Sequence, residues 1–320
     1  MGIIYILCMF VVAMITSSCN KDDVIEATYE ENHYRAKSEN SSAEWSKVFE
    51  YTPAPGQFIG DTRTGGFSGN ETTAADAAAY AEERLSKGAF VSLGGYGGYI
   101  VVGFDHSIDN NHGYDIAIKG NSFSGSSEPG IVWVMQDENG DGEPNDTWYE
   151  LRGSEVGKKS TLRNYSVTYY RPDSPEQPVK WSDSEGGSGE IDYLKAFHQQ
   201  PYYYPAWITA ESYTLTGTRL EARNYDKSGK GTMWVQPEYD WGYADNFSPI
   251  DRVTDSKGKA TAINRFRIAD AIDQKGNSVD LEFIDFVKVQ TAVNAKSGWL
   301  GELSTEVLGF YDYSMMETIE

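Results

Sequence analysis

Apolar residues along this chain recur in short runs rather than at helical spacing, and turn formers separate the runs. Ile131-Val132-Trp133-Val134-Met135 is the clearest run. It is too brief for an independent helix and rich in β-branched and aromatic residues, so it predicts a buried strand. Comparable segments are Phe90–Leu93, Tyr99–Phe104, Tyr114–Ile118, Ile131–Gln136, Trp148–Leu151, Tyr165–Tyr170, Val179–Trp181, Tyr213–Leu215, Met233–Gln236, Phe266–Ile268, Phe283–Val289 and Thr305–Phe310. Asp, Asn, Gly, Ser and Pro fill the fairly even gaps between them. That pattern predicts an all-β fold, an antiparallel β-sandwich or jelly roll with long loops, rather than alternating strands and helices.

One short N-terminal helix is predicted over Glu71 to Lys87. Thr72 or Thr73 can cap it, Asp76 sits in its first turn, Lys87 in its last, and Gly88 stops it. Its stripe of Ala75, Ala78, Ala79 and Leu85 is small enough to lie flat on a sheet. Gly94-Gly95-Tyr96-Gly97-Gly98 lies between two strand segments. It lacks the G-x-G-x-x-G spacing and a following helix, so it reads as a turn or bulge and not a phosphate loop. Arg171–Pro178 and Ser182–Gly189 read as exposed loops. No linker or repeat divides the body, which predicts one domain from 48 to 314 and a frayed tail over 315–320.

The first 47 residues differ. Residues 3–15 are unbroken apolar or aromatic, short for a membrane span but right for the core of a signal peptide. Small residues then precede Cys19, which resembles a bacterial lipobox, although no Lys or Arg precedes the apolar run and Thr16 stands where Leu is usual. The expected outcome is a signal peptide over 1–18, an acylated Cys19 and a flexible tether over 19–47. Lys21-Asp22-Asp23 resembles the export signal that carries Bacteroidota lipoproteins to the outer face of the outer membrane. Removal of Cys8 with the signal would leave Cys19 alone and no disulfide, so a large core and a bound metal become the natural stabilisers. A net charge of −21 argues against nucleic acid, because phosphate recognition needs Lys and Arg patches.

Within the strand-to-strand stretch Ile131–Leu151, Asp137, Asn139 and Asp141 alternate and Gly142 follows, a full match to D-x-[DN]-x-[DN]-G. Calcium takes six to eight oxygen ligands at roughly 2.3–2.6 Å, and such a curled loop supplies them. Position twelve is Trp148 rather than Glu, so Asp146 would close the shell with help from the Glu143 carbonyl. A structural Ca2+ is expected; an acidic hairpin loop without metal is the alternative. Asp105, His106, Asp109, Asn110, His112 and Asp115 form a second polar cluster, read as a solvated turn before a cation site. No H-E-x-x-H pair and no G-x-S-x-G elbow occurs, so neither a zinc enzyme nor a serine hydrolase is indicated. Nothing singles out a glycosidase pair among the acids, and no catalytic residue is assigned.

The aromatic content of the second half, from a chain with 22 Tyr and 8 Trp, points to ligand binding. Tyr202, Tyr203, Tyr204 and Trp207 lie between and beside prolines. Trp241, Tyr243, Asp245 and Asn246 form a second loop, and Trp299 sits between glycines in a third. Rings beside amides and carboxylates suit flat ligands, sugars or a macrocycle, while core packing is the alternative for any one ring.

Five segments carry a family resemblance: VSLGGYGGYIVVGFDHSI (91–108), GYDIAIKGN (113–121), SSEPGIVWVMQDENGDG (126–142), WGYADN (241–246) and NAKSGWLGE (294–302). With them the chain resembles Bacteroidota cell-surface lipoproteins encoded beside TonB-dependent transporters, and is similar to the BtuH-like vitamin B12-binding group. The resemblance implies capture of cobalamin or another corrinoid at the cell surface and delivery to an outer-membrane transporter, without catalysis. A calcium-dependent glycan-binding lipoprotein or a jelly-roll glycan-degrading enzyme remains the alternative from the residues alone.

Overall fold

In the computed structural model, which describes residues 32–317, the apolar runs form strands, and every strand-to-strand pairing among the described residues is antiparallel, an isolated parallel bridge between Ser126 and Gln236 aside. The expected signal peptide, Cys19 and Lys21-Asp22-Asp23 lie outside the described residues. A six-stranded sheet runs in the order Lys47–Thr52, Tyr99–Asp109, Phe283–Thr291, Gly130–Met135, Tyr149–Leu151 and Ala271–Ile272. Val287 pairs with Val102 on one side and Val134 on the other, so three valines form a row across its centre. All three are fully buried, each contributing about 1.5–3 kcal/mol of burial.

Phe283–Thr291 is buried along nearly its whole length because other layers cover the sheet. On one side, Ile116, Ile118, Phe266 and Phe310 share a core with those valines. They come from a four-stranded sheet ordered Arg252–Thr254, Ala260–Phe266, Ile116–Lys119 and Gly309–Asp312. A further sheet, ordered Ser212–Arg219, Leu162–Tyr170, Val179–Asp183 and Ser188–Ile191, builds a second core around Tyr165, Val167 and Tyr169. The Gln290 amide ties it to the large sheet by donating to the carbonyls of Gly97 and Thr216. The fold is therefore all-β and sandwich-like.

Three expectations about individual elements shift. The helix spans Ala74–Ser86, with Thr73 as N-cap in a reciprocal box with Asp76. Its buried stripe is Ala77, Tyr80, Ala81 and Leu85, not the one through Ala75, Ala78 and Ala79. Tyr80 decides the face by stacking on Phe67, ring centroids 3.8 Å apart. The strand expected at Phe266–Ile268 instead ends at Phe266 after starting at Ala260, and a 3-10 turn follows. Its polar Asn264 is buried, hydrogen-bonded to the Asn246 carbonyl and Asp251, which hid the strand from an apolar search. Ser182–Gly189 is a hairpin whose strands run to Asp183 and resume at Ser188.

Residues 33–46, placed in the tether by composition, are packed on the body, which forms one compact unit from His33 onward. Arg35 exchanges backbone and side-chain bonds with Ser107 and donates to the carboxylate of buried Asp285 at 2.9 Å. Trp45 donates its N–H to the Phe310 carbonyl. Few apolar residues were needed, because backbone bonds and one buried carboxylate hold the segment.

Candidate functional site

Three of the protein's exposed large apolar side chains surround one cleft of about 420 Å3. They are Phe123, Phe197 and Trp299, with 63%, 52% and 48% of their surface exposed. Phe197 and Trp299 pair with ring centroids 5.9 Å apart. The amides of Gln57 and Gln236 and the carboxylates of Glu128, Glu302 and Glu306 line the cleft.

Local structure fixes each wall. Trp299 rides on a 3-10 turn, Gly298–Leu300, whose flanking residues Lys296 and Glu302 bridge. Gly298 has φ of +56°, and a side chain there would overlap the Trp234 ring, so only glycine lets the turn sit so low. Buried Ser297 anchors it by accepting from Asn224 at 3.0 Å. Phe123 tops a tight turn closed by its mutual backbone bonds with Ser126, and Ser127 pins that turn by donating to the Gln236 carbonyl. Opposite, Gln57 donates its backbone N–H to Glu302 at 2.8 Å.

The floor is acidic. Oxygens of Glu128, Asp245 and Glu306 all lie within 4.8 Å of one another, a grouping that among the described residues occurs here alone. Asp245 accepts from the N–H groups of Asn121 and Glu306, at 2.9 and 3.0 Å. Ser92 donates its hydroxyl to Glu306 at 2.8 Å. Burial, then repulsion among these acids, pushes Glu128 and Asp245 well above the usual carboxylate range. Burial likewise raises Glu306. Glu302, 4% exposed, is pushed up to about 8 mainly by burial. At the rim, His198 meets Asp61 at 2.7 Å. Burial opposes ionisation of Asp61, but bonds from Thr64, His198 and two backbone N–H groups prevail and hold it at about 2.

The predicted ligand residues do not gather here as a set. Trp299 lines the cleft and Asp245 belongs to its floor. Asn246 is buried behind it, bracing the N–H and carbonyl of Tyr239. Tyr203, Tyr204 and Tyr243 are core residues, while Trp207 packs against Phe67 and Tyr51. Their hydroxyls are used internally: Tyr203 donates to the His198 carbonyl, Tyr204 to the Ala210 carbonyl, and Tyr243 accepts from Glu155 N–H. Tyr202 is partly exposed beside this packing. Trp241 lines a different cavity, of about 220 Å3, with Tyr114, Arg152, Ile250 and Arg267. Phe123, Phe197, Glu128, Glu302 and Glu306 were not singled out by sequence.

The expected calcium loop is strongly curled. Asp137 accepts from Gly142 N–H, Asn139 from Asp141 N–H and Asp141 from Glu143 N–H, at 2.8–2.9 Å. Bonds from Asn145 and from Glu143 N–H hold Asp141 below its ordinary range. Asp146 is turned to the Glu138 N–H at 2.9 Å. Asp137 is buried, its N–H donates to Asp285, and its Oδ1 has no hydrogen-bond partner. That orphaned acceptor suits a cation. In the polar cluster near His106, only His106 and Asp115 are buried: His106 bridges Asp105 and Asp312, and Asp115 accepts from Asn111 and Ile268 N–H groups, while Asp105 and His112 are exposed. No family model matches the chain, and no curated protein matches it either.

Proposed function

We propose that this chain is a lipid-anchored bacterial surface protein that captures cobalamin or a related corrinoid in the Phe123–Phe197–Trp299 cleft and hands it to an outer-membrane TonB-dependent transporter. The carrying observation is the exposure of three large rings around one cavity lined by amides. Burying such rings on a ligand releases apolar surface from water, and rings beside polar groups suit an apolar macrocycle with an amide periphery. The cavity falls in the range of small-molecule sites. It would take one edge of a corrinoid while the ring lies on the rim. A structural Ca2+ at Asp137, Asn139, Asp141 and Asp146, with the Glu143 carbonyl, would hold the loop beside the large sheet.

Calcium-dependent glycan capture is the second reading, favoured by the carboxylate floor beneath the same rings. Titration calorimetry with cyanocobalamin and with a glycan panel separates the two. Trp299→Ala and Phe197→Ala should each cost roughly 2 kcal/mol, a Kd rise of about thirtyfold, if these rings are anchors. Trp241→Ala, outside the cleft, should change nothing. Saturable heat with a glycan and none with cobalamin moves the assignment to the second reading; silence with both removes the cleft from either. Release of the protein from membranes by Cys19→Ala tests the anchor.

A further inference from the structure

We propose that Glu128, Asp245 and Glu306 hold a divalent cation at the floor of the cleft, with Glu302 on the same wall, and that Ca2+ is the ion that fits. Oxygens bound to one calcium ion at roughly 2.3–2.6 Å lie at most about 5 Å apart, and these three side chains already meet that condition. All are oxygen donors, the set that a hard cation takes and a soft metal does not.

Charge balance supplies the argument. Among the described residues, no Lys, Arg or His forms an ion pair with any of the four acids, although other buried acids here do have one. Asp285 has Arg35, Asp312 has Lys37, Glu150 has Arg163 and Glu155 has Arg223. Meanwhile the donors at the floor suit ionised groups: Ser92 gives a hydroxyl to Glu306, and two backbone N–H groups point at Asp245. Buried carboxylates surrounded by donors and lacking a counter-charge need either protons or a cation.

An independent observation selects the cation. Glu302 Oε2 is buried on the cleft wall and has no hydrogen-bond partner. As a carboxylate it lacks a counter-charge, and as an acid its O–H lacks an acceptor. A positive ion in the cleft that Glu302 lines would supply the missing counter-charge. Glu128 is partly exposed, so the ion can enter from the cleft and keep open positions for water or a ligand oxygen. This site is separate from the Asp137 loop and does not depend on which ligand the rings hold.

The test uses metal alone, on the full chain stripped with chelator. Calorimetry with CaCl2, and MgCl2 in comparison, is run on wild type, Asp141→Asn, and Asp141→Asn combined with Glu128→Gln. Wild type and Asp141→Asn should both bind Ca2+ at the floor. The added Glu128→Gln should weaken that event by about a hundredfold, since affinity follows ligand charge. Should the double variant fold poorly, Mn2+ soaked into crystals of Asp141→Asn should give anomalous density among the three carboxylates. Equal Ca2+ binding with and without Glu128→Gln, or no density between these carboxylates, overturns the site.

Discussion

Replacing Glu302 by Gln should stabilise the metal-free protein, and increasingly so as pH rises. Gln retains the acceptor that Glu302 offers to the Gln57 N–H and cannot ionise. In wild type the carboxyl rises from its ordinary 4.5 to about 8 on folding, mainly through burial. Between those values the folded protein binds a proton that the unfolded chain has released, so stability falls as pH increases through that window. With 1.36 kcal/mol per pH unit, the loss amounts to under about 1 kcal/mol at pH 5, about 3 at pH 7, and between 4 and 5 above pH 8. These are upper figures, since water entering the cleft would reduce them.

A body of this size loses roughly 2 °C of Tm per kcal/mol. Thermal melts in chelator at half-unit steps from pH 5 to 9 should therefore show the curves of wild type and Glu302→Gln diverging by about 6 °C at pH 7. The difference between the two isolates Glu302 from Glu128, Asp245 and Glu306, which titrate in the same direction. Parallel curves would mean that the carboxyl is not desolvated, and the description of the cleft wall would be wrong.

Chelation should lower the Tm of wild type by several degrees, because an ion that binds only the folded state stabilises it by RT ln(1 + [L]/Kd); Asp141→Asn should blunt the response, and an unchanged melt would count against the loop. Thr73→Ala removes the helix N-cap and half of its reciprocal box, and should cost about 1 kcal/mol in urea unfolding. Gly94→Ala should cost at least about 2 kcal/mol, since Gly94 has φ of +74° and a Cβ would overlap the Ala54 carbonyl; soluble protein of unchanged stability would refute that account.

Gly130–Met135 was legible because it is buried on both sides and apolar throughout, and Phe283–Thr291 kept enough apolar residues to be found although Asp285 and Gln290 are buried within it. Ala260–Phe266 was not, since buried Asn264 breaks its pattern while its amide is satisfied by Asn246 and Asp251. The helix was located by its caps, yet its buried face was misjudged. Alanines occupy every side of it, and one tyrosine, Tyr80, sets the orientation through a partner in the loop that leads into the helix, Phe67.

The cleft was half legible for a different reason. An aromatic residue advertises a large apolar surface, and sequence does not say whether protein or ligand covers it. Tyr203 and Tyr204 look as available as Trp299 until their hydroxyls are seen to end on backbone carbonyls inside the fold. The acids at the floor are as hidden among 48 acidic residues, because Glu128 and Glu306 meet only through sheet topology. A fold gains nothing by gathering three buried acids and a half-buried one without a counter-charge, and well-packed apolar residues there would make it more stable. Their convergence beneath three exposed rings is therefore better explained by what the cleft holds than by what the fold requires.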